Sequence, residues 1–244
     1  MRDAPPLSPS AALRYEVIRS VLDAHRIRSL VEVGPGMGAM AWRIGTDREY
    51  HGYEPDGRSF AVAAQRLRGL PNANLYNQPL PVEPTLSVDA LVAFEVLEHL
   101  EDDASALARW TKWIRPGGLV LLSVPAHQHR FGPWDEAVGH FRRYGKSELA
   151  AKLEAAGLVE GEVRAYGMPA GYVLEWVRQR VLARRLGEVA NNQEGTLRSG
   201  RAFQPAGSWG GLVELAMAPC RELQKPFAKT ELGTGWIAWA KRPS

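Results

Sequence analysis

The chain has 244 residues, 45% of them apolar and 23% charged, with a single cysteine. That length buries a sizeable core without cross-links, and the composition excludes an intramolecular disulfide framework, an all-cysteine metal cage, a coiled coil and a disordered chain. The net charge of +3 is too small to argue for nucleic acid, but it is uneven: nine basic and five acidic residues give residues 168–230 a charge of +4, and the rest carries −1. Residues 1–9 are proline-rich and read as an extended arm without the apolar core of a signal peptide. No apolar run approaches the roughly 20 residues of a membrane span, so the expected compartment is the cytoplasm. From Ser10, the residues Leu13, Val17, Ile18, Val21 and Leu22 recur at helical spacing. Ser29–Val33 is a buried strand running into the glycines at 34–38. Tyr50–Glu54 is a second strand, Asp56–Arg68 a helix that Asp56 can cap, and Ala73–Asn77 a third strand. Val88–Phe94 is a fourth strand, followed by a helix with Trp110, Trp113 and Ile114 that stops at Pro116-Gly117-Gly118. Leu119–Val124 is a fifth strand, ended by Pro125, and Ser147–Ala156 is another helix. Strands alternating with helices predict a parallel sheet with helices on both faces. Leu158–Ala165 reads as a strand whose partner appears only at Gly235–Lys241. Between them, residues 168–230 read as a mainly helical insertion within a single domain spanning 1–244.

Glu32-Val33-Gly34-Pro35-Gly36-Met37-Gly38 sits where a strand meets a helix. Glycines there let the backbone approach a ligand, and a helix N-terminus offers free N–H groups. Glu54-Pro55 ends the next strand, 22 positions after Glu32, where a carboxylate can accept both hydroxyls of a ribose. The pattern fits an adenosine cofactor and, with Ala39 as the last small residue, also a dinucleotide. Glu32 distinguishes them, because a carboxylate beside the loop suits a cationic methionine ammonium and repels a pyrophosphate.

Further on come Phe94-Glu95-Val96-Leu97-Glu98-His99-Leu100, Ile114-Arg115-Pro116-Gly117-Gly118 and the stretch from SVPA to GHFRRYGKSEL. With VEVGPGMG and YEPD in this order, the chain resembles the class I S-adenosylmethionine-dependent methyltransferases, and within them the branch of the ubiquinone-pathway O-methyltransferases and many bacterial small-molecule enzymes. The resemblance implies a Rossmann-like α/β fold: a seven-stranded sheet with its last strand antiparallel, here Gly235–Lys241. It implies S-adenosyl-L-methionine as cofactor, held by Glu32, Gly34, Pro35, Gly36, Glu54, Pro55, Phe94, Glu95 and His99. Where relatives carry an Asp for the adenine amino group, this chain has Asn77-Gln78, either of which can offer an amide oxygen.

Methyl transfer to oxygen of a small molecule needs alignment, exclusion of water and a base. His99, His127 and His140 follow strands four and five, at the sheet end where α/β ligands bind, and are the candidate bases. His99 can instead bridge helix and loop. His127 and His129 share one side of an extended segment and can face solvent. Around His140, pairing of Arg142 or Arg143 with Asp135 or Glu136 can simply pin the loop. Glu95, Glu98 and His99 could also join a further histidine around Mg²⁺ or Mn²⁺, but the reading adopted is metal-free. Tyr172–Leu186 places Val173, Trp176, Val177, Val181 and Leu182 on one helical face and Arg178, Arg184 and Arg185 away from it. This face reads as the packed side of a lid with solvated arginines. It can also belong to a lid that selects acidic acceptors, or to a helix resting peripherally on an anionic bilayer through 172–186. Residues 191–210 read as mobile until substrate binds. A nicotinamide-dependent oxidoreductase and a non-catalytic or non-methylating S-adenosylmethionine-binding protein are the alternatives, and the sequence leaves the oligomeric state open.

Overall fold

In a computed structural model, described for residues 4–189 and 210–244, seven strands form one mixed sheet. They are β1 (Ser29–Val33), β2 (Glu49–Tyr53), β3 (Ala73–Tyr76), β4 (Val88–Phe94), β5 (Ile114–Pro125), β6 (Val159–Tyr166) and β7 (Gly235–Lys241), in the order β3-β2-β1-β4-β5-β7-β6. The first five pair in parallel, and β7 runs antiparallel between β5 and β6. The helices are α1 (Pro9–Ala24), α2 (Ala39–Gly45), α3 (Gly57–Leu67), α4 (Asp103–Thr111), α5 (Pro133–Val138), α6 (Lys146–Ala155), α7 (Ala170–Val189) and α8 (Gly210–Gln224). None of the described helices is long and apolar enough to cross a membrane.

Both faces of the sheet are covered, and the period-2 alternation of the strands sorts their side chains between two cores. Ala90, Val92 and Phe94 of β4, with Leu119 and Leu121 of β5 and Ile237 and Trp239 of β7, pack with α1 and α2. Their neighbours Leu91, Ala93, Val120, Leu122, Trp236 and Ala238 pack against α4 and α6. Trp236 is fully buried and its indole N–H donates to the Tyr144 carbonyl at 2.8 Å, tying β7 to the loop before α6.

The expected elements form with shifts of a residue or two, apart from one boundary. The helix expected through Ile114 stops at Thr111, and Ile114 pairs with Val88 as the first residue of β5. The Pro116-Gly117 turn therefore lies inside the strand's span: the register jumps from Val88↔Ile114 to Ala90↔Leu119. The arm before α1 is docked, with Leu7 only 2% exposed and the Pro5 carbonyl accepting from Arg43.

The segment between β6 and β7 begins and ends in helices. α8 packs on α1, and the buried Gln224 side chain donates to the Leu13 carbonyl and accepts from Gly167 N–H. α7 touches α5 and α1 with the face opposite to the one expected. Val173 and Trp176 are 62% and 58% exposed, Tyr172 and Val177 are also exposed, and Leu174 packs against the core. Amphipathic spacing finds a stripe without saying what lies against it. Here charged groups, Glu175 and Arg178, occupy the inward side. Residues 191–209, of the stretch read as mobile, lie outside the described residues, as do the side chains of Leu182, Arg184 and Arg185.

Candidate active site

The glycine turn after β1 is built by left-handed backbone at Gly34 (φ +65), Gly36 (φ +59) and Gly38 (φ +77). At Gly36 a Cβ would meet nothing within 4 Å, so that backbone faces open space. Its N–H donates to Glu54 Oε2 at 2.8 Å, while Asp56 N–H donates to Oε1 at 2.9 Å. A carboxylate has about four acceptor positions. Two amides hold Glu54 and leave one lone pair on each oxygen, the arrangement a vicinal diol requires. Asn77 Nδ2 donates to the Glu54 carbonyl at 2.9 Å, leaving its amide oxygen as an acceptor at the head of α3, where Gly57 packs. Gln78 is exposed.

Glu32 is 2% exposed and accepts from Tyr50 Oη at 2.7 Å. Burial pushes its carboxyl up to about 7, against the Tyr50 hydrogen bond and the Arg14 charge, which pull it down, and with Glu54, which adds to the rise. A cation arriving at this loop would meet a carboxyl poised to ionise.

At the end of β4, Glu95 adopts φ +57, and a non-glycine residue held there points to a site that the surroundings over-determine. Its Oε1 accepts from Ser123 Oγ at 2.9 Å and Tyr166 Oη at 3.1 Å, with Arg14 at 3.6 Å. Burial pushes Glu95 up, but Arg14 and the Ser123 hydroxyl outweigh it and hold the carboxyl below its usual value. Tyr166 reaches this point because Gly235 has no side chain: a Cβ there would stand 2.3 Å from the ring. Arg14 is the functional candidate that sequence reasoning missed. Its place on α1, far from any motif, gave no signal beyond a charge amid apolar helical positions.

His140 lies beside this group. Its Nδ1 is 2.8 Å from Asp135 Oδ1, and Asp135 is fully buried and also accepts from Arg143 Nε at 2.9 Å. Burial raises the Asp135 carboxyl, but His140 and Arg143 overcome this and keep it below its usual value. An ionised Asp135 accepts from the Nδ1 side of His140 and orients the ring. Arg143 thus pins the loop, and the other edge of His140 faces Glu98, with Nε2 at 3.8 Å from Oε1. His99 stacks edge-on against His140 at 4.6 Å and bonds the Gly139 carbonyl through Nδ1 at 3.1 Å. His127 stands apart: its Nε2 contacts the Gly233 carbonyl and its ring abuts Trp236. His129 is exposed, and the two belong to a 3₁₀ turn (Gln128–Arg130) with its cap rather than to an extended segment. Arg142 pairs with Asp103, and Tyr144 is buried with its hydroxyl on the same carboxylate.

Glu98 is fully buried, and neither carboxylate oxygen has a hydrogen-bond partner. Burial first, and Glu95 second, push its carboxyl well above the usual range. One ligand atom from each of Glu98, His99 and His140 lies within 4.8 Å of the others. A carboxylate with two imidazoles is a donor set suited to a divalent transition ion.

A cleft next to these residues is lined by Glu95 after β4 and Tyr166 of β6, by Asp135 of α5 with His140 beyond it, and by Glu175 and Arg178 of α7. Residues 31–120 match the family model described as a methyltransferase domain. The structure superposes on a Haemonchus contortus phosphoethanolamine N-methyltransferase bound to phosphomonomethylethanolamine and S-adenosylhomocysteine, with a TM-score of 0.56, 16% identity and coverage of 89% of this chain and 49% of that one. The fold is that of the S-adenosylmethionine-dependent methyltransferases. The cyclase SpnF shares it, at TM-score 0.60 and 20% identity over 94% of this chain and 80% of that one. In sequence, a Mycolicibacterium smegmatis protein described as a probable S-adenosylmethionine-dependent methyltransferase is 36% identical over 152 residues. That match takes in 59% of this chain and 57% of the relative, so it spans little more than half of that protein. The methyltransferase fold puts the glycine turn, Glu54 and Glu95 along one edge of the sheet, at the C-terminal ends of β1, β2 and β4.

Proposed function

We propose that the chain is an S-adenosyl-L-methionine-dependent methyltransferase acting on a small molecule at oxygen. The observation that carries this reading is the Glu54 carboxylate fixed by two backbone amides beside the open backbone of Gly36. Glu54 would hold the ribose, Asn77 the adenine amino group, and Glu32 would stand beside the cationic methionyl end. Bound S-adenosylmethionine supplies a methyl group on a positively charged sulfur. The chain's own work is then alignment and proton removal. His140, oriented by Asp135, would accept the acceptor hydroxyl's proton at Nε2. The segment 168–230 is inserted in a single domain, and its helix α7 would cover the acceptor end. Calorimetry with S-adenosylmethionine and with NAD(P) separates this reading from an oxidoreductase. Gly36→Val should abolish binding of S-adenosylmethionine, because its side chain enters the ligand's space and β-branched residues resist φ near +60°. Undiminished affinity would refute the cofactor assignment. The fold alone does not fix the reaction, as a cyclase on the same fold illustrates. Conversion to S-adenosylhomocysteine with an acceptor panel, lost in His140→Ala, tests the methyl-transferring role.

A second reading replaces the His140 base with a divalent ion held by Glu98, His99 and His140, and the two unpartnered oxygens of Glu98 favour it. Such an ion would polarise an acceptor hydroxyl. Mn²⁺ titration followed by electron paramagnetic resonance should show a site in the wild type and none in Glu98→Gln. Activity unchanged after exhaustive chelation excludes it.

The exposed side of α7 supports a third element of the proposal, peripheral contact with an anionic bilayer. Val173 and Trp176 form an apolar stripe, Arg180 lies 4.9 Å over the Trp176 ring, and the surrounding segment is basic. Co-sedimentation with phosphatidylglycerol vesicles, weakened in Trp176→Ser and absent with phosphatidylcholine, is the expected result. Indifference to lipid, or self-association through this face, refutes it.

A further inference from the structure

The charges around the cleft do not balance. Glu175 pairs with Arg130 and with Arg143, the latter at 3.1 Å. Asp135 is taken by Arg143 and His140. Glu95 faces Arg14. The three carboxylates are thus committed to three other arginines. Arg178, whose side chain also lines the cleft, has no carboxylate within ion-pair distance among the described residues. Its guanidinium donates to the Ser10 hydroxyl and lies 5.9 Å from the centre of the Trp134 ring. Loss of solvent is the main influence on it and makes its charge harder to hold, with Glu95, Tyr166 and Glu175 opposing. A half-buried cation with no carboxylate paired to it is costly, and an exposed position on α7 would have avoided the cost. A guanidinium has five N–H donors in a planar fork, and the one hydroxyl bonded here leaves the fork largely open. Leu13 and Trp134 give the same cleft an apolar wall.

We infer that Arg178 is the anchor for an oxyanion carried by the acceptor, and that the acceptor class is a carboxylated or phosphorylated molecule with an apolar body. The inference rests on the methyltransferase reading for the word acceptor, but the anion site itself does not. Arg178 enters from the helix facing His140, so an anion docked on its fork presents the remainder of the molecule to the Asp135–His140 pair. Fork-to-oxyanion geometry makes this a specificity determinant that a lysine reproduces only in part.

The test uses the full chain and three small probes of similar shape: phenyl phosphate, benzoate and benzamide. Calorimetry should show saturable binding of at least one anion and none of benzamide, with the preferred anion identifying phosphate or carboxylate as the group recognised. Arg178→Gln should weaken that anion by about tenfold or more, and Arg178→Lys should fall between it and the wild type. Arg109→Gln, exposed on α4 and outside the cleft, should match the wild type. S-adenosylmethionine affinity measured on the same samples reports both folding and the cofactor site. Equal anion affinity in wild type and Arg178→Gln, no saturable anion binding to the wild type, or equal binding of benzamide overturns the inference. Failure of S-adenosylmethionine to bind, with anion binding intact, instead removes the methyltransferase reading and leaves the anion site standing.

Discussion

Glu32 carries two opposed demands. Its folded carboxyl titrates near 7 against an ordinary value of 4.5, so between those pH values the folded chain holds a proton that the unfolded chain has released. Folding stability therefore falls as pH rises through that window, and the loss is complete above it. The groups facing Glu32 are Tyr50, Arg14 and Glu54, and only the first two offset its burial. Glu32→Gln should stabilise the ligand-free protein at pH 8 by up to about 3 kcal/mol and leave it unchanged at pH 4. Thermal melts at the two pH values measure this. The same substitution should weaken a cationic cofactor by about tenfold to a hundredfold, since a charge-assisted contact is lost. In the wild type, cofactor affinity should decline as pH drops below 7, with proton release visible in calorimetry across buffers of different ionisation enthalpy.

At the scale of elements, α7 is the informative case. It is held less by apolar contact than by Glu175, which takes Arg130 and the buried Arg143. Glu175→Ala should destabilise the helix by about 1–3 kcal/mol by leaving a buried guanidinium short of a partner. Hydrogen exchange should accelerate over residues 170–181 and stay slow in β4 and β5. An unchanged α7 would mean that Leu174 and Ala170 suffice to dock it. The sequence announced this helix through its spacing but not its orientation, because period-3.6 patterning assumes that the apolar side is the inner one. β4 and β7 were legible to the residue, since near-continuous apolar runs bounded by turns leave few alternatives. The end of α4 was not: Trp113 and Ile114 continue an apolar pattern that helix and strand share, and only pairing with Val88 decides between them. In the site, Glu32, Glu54 and Glu95 stood out because each sits at the end of a strand, and His140 because it lies on the stretch after β5. Arg14 did not, and Arg178 was legible only as one of three arginines of a lid that can select acidic acceptors, since long-range packing of α1 and α7 alone brings them to the cleft.

For the whole molecule, the stability of both cores passes through β7. Its alternate side chains serve the two faces, and Trp236 reaches from it to the loop carrying Tyr144. Trp236→Ala should cost about 3–5 kcal/mol, chiefly from the large cavity it leaves, since the Tyr144 carbonyl keeps its bond from the His127 N–H. Chemical denaturation should show a single lowered transition; a separate early transition confined to β6 and α8 would show that β7 is not shared.

The placement of β7 also bears on how such a chain could diversify. The ladder brings Tyr166 opposite Gly235, so the polypeptide leaves the sheet and re-enters it at neighbouring positions. The entropy of closing a loop between fixed ends grows only with the logarithm of its length. Whatever lies between those ends can lengthen, shorten or be exchanged for another sequence while the ladder keeps its register. The side of α8 that rests on α1, and the Glu175 of α7 that takes Arg143, must be kept. Selection can thus trial new recognition surfaces at this port, while the residues beside the glycine turn remain untouched.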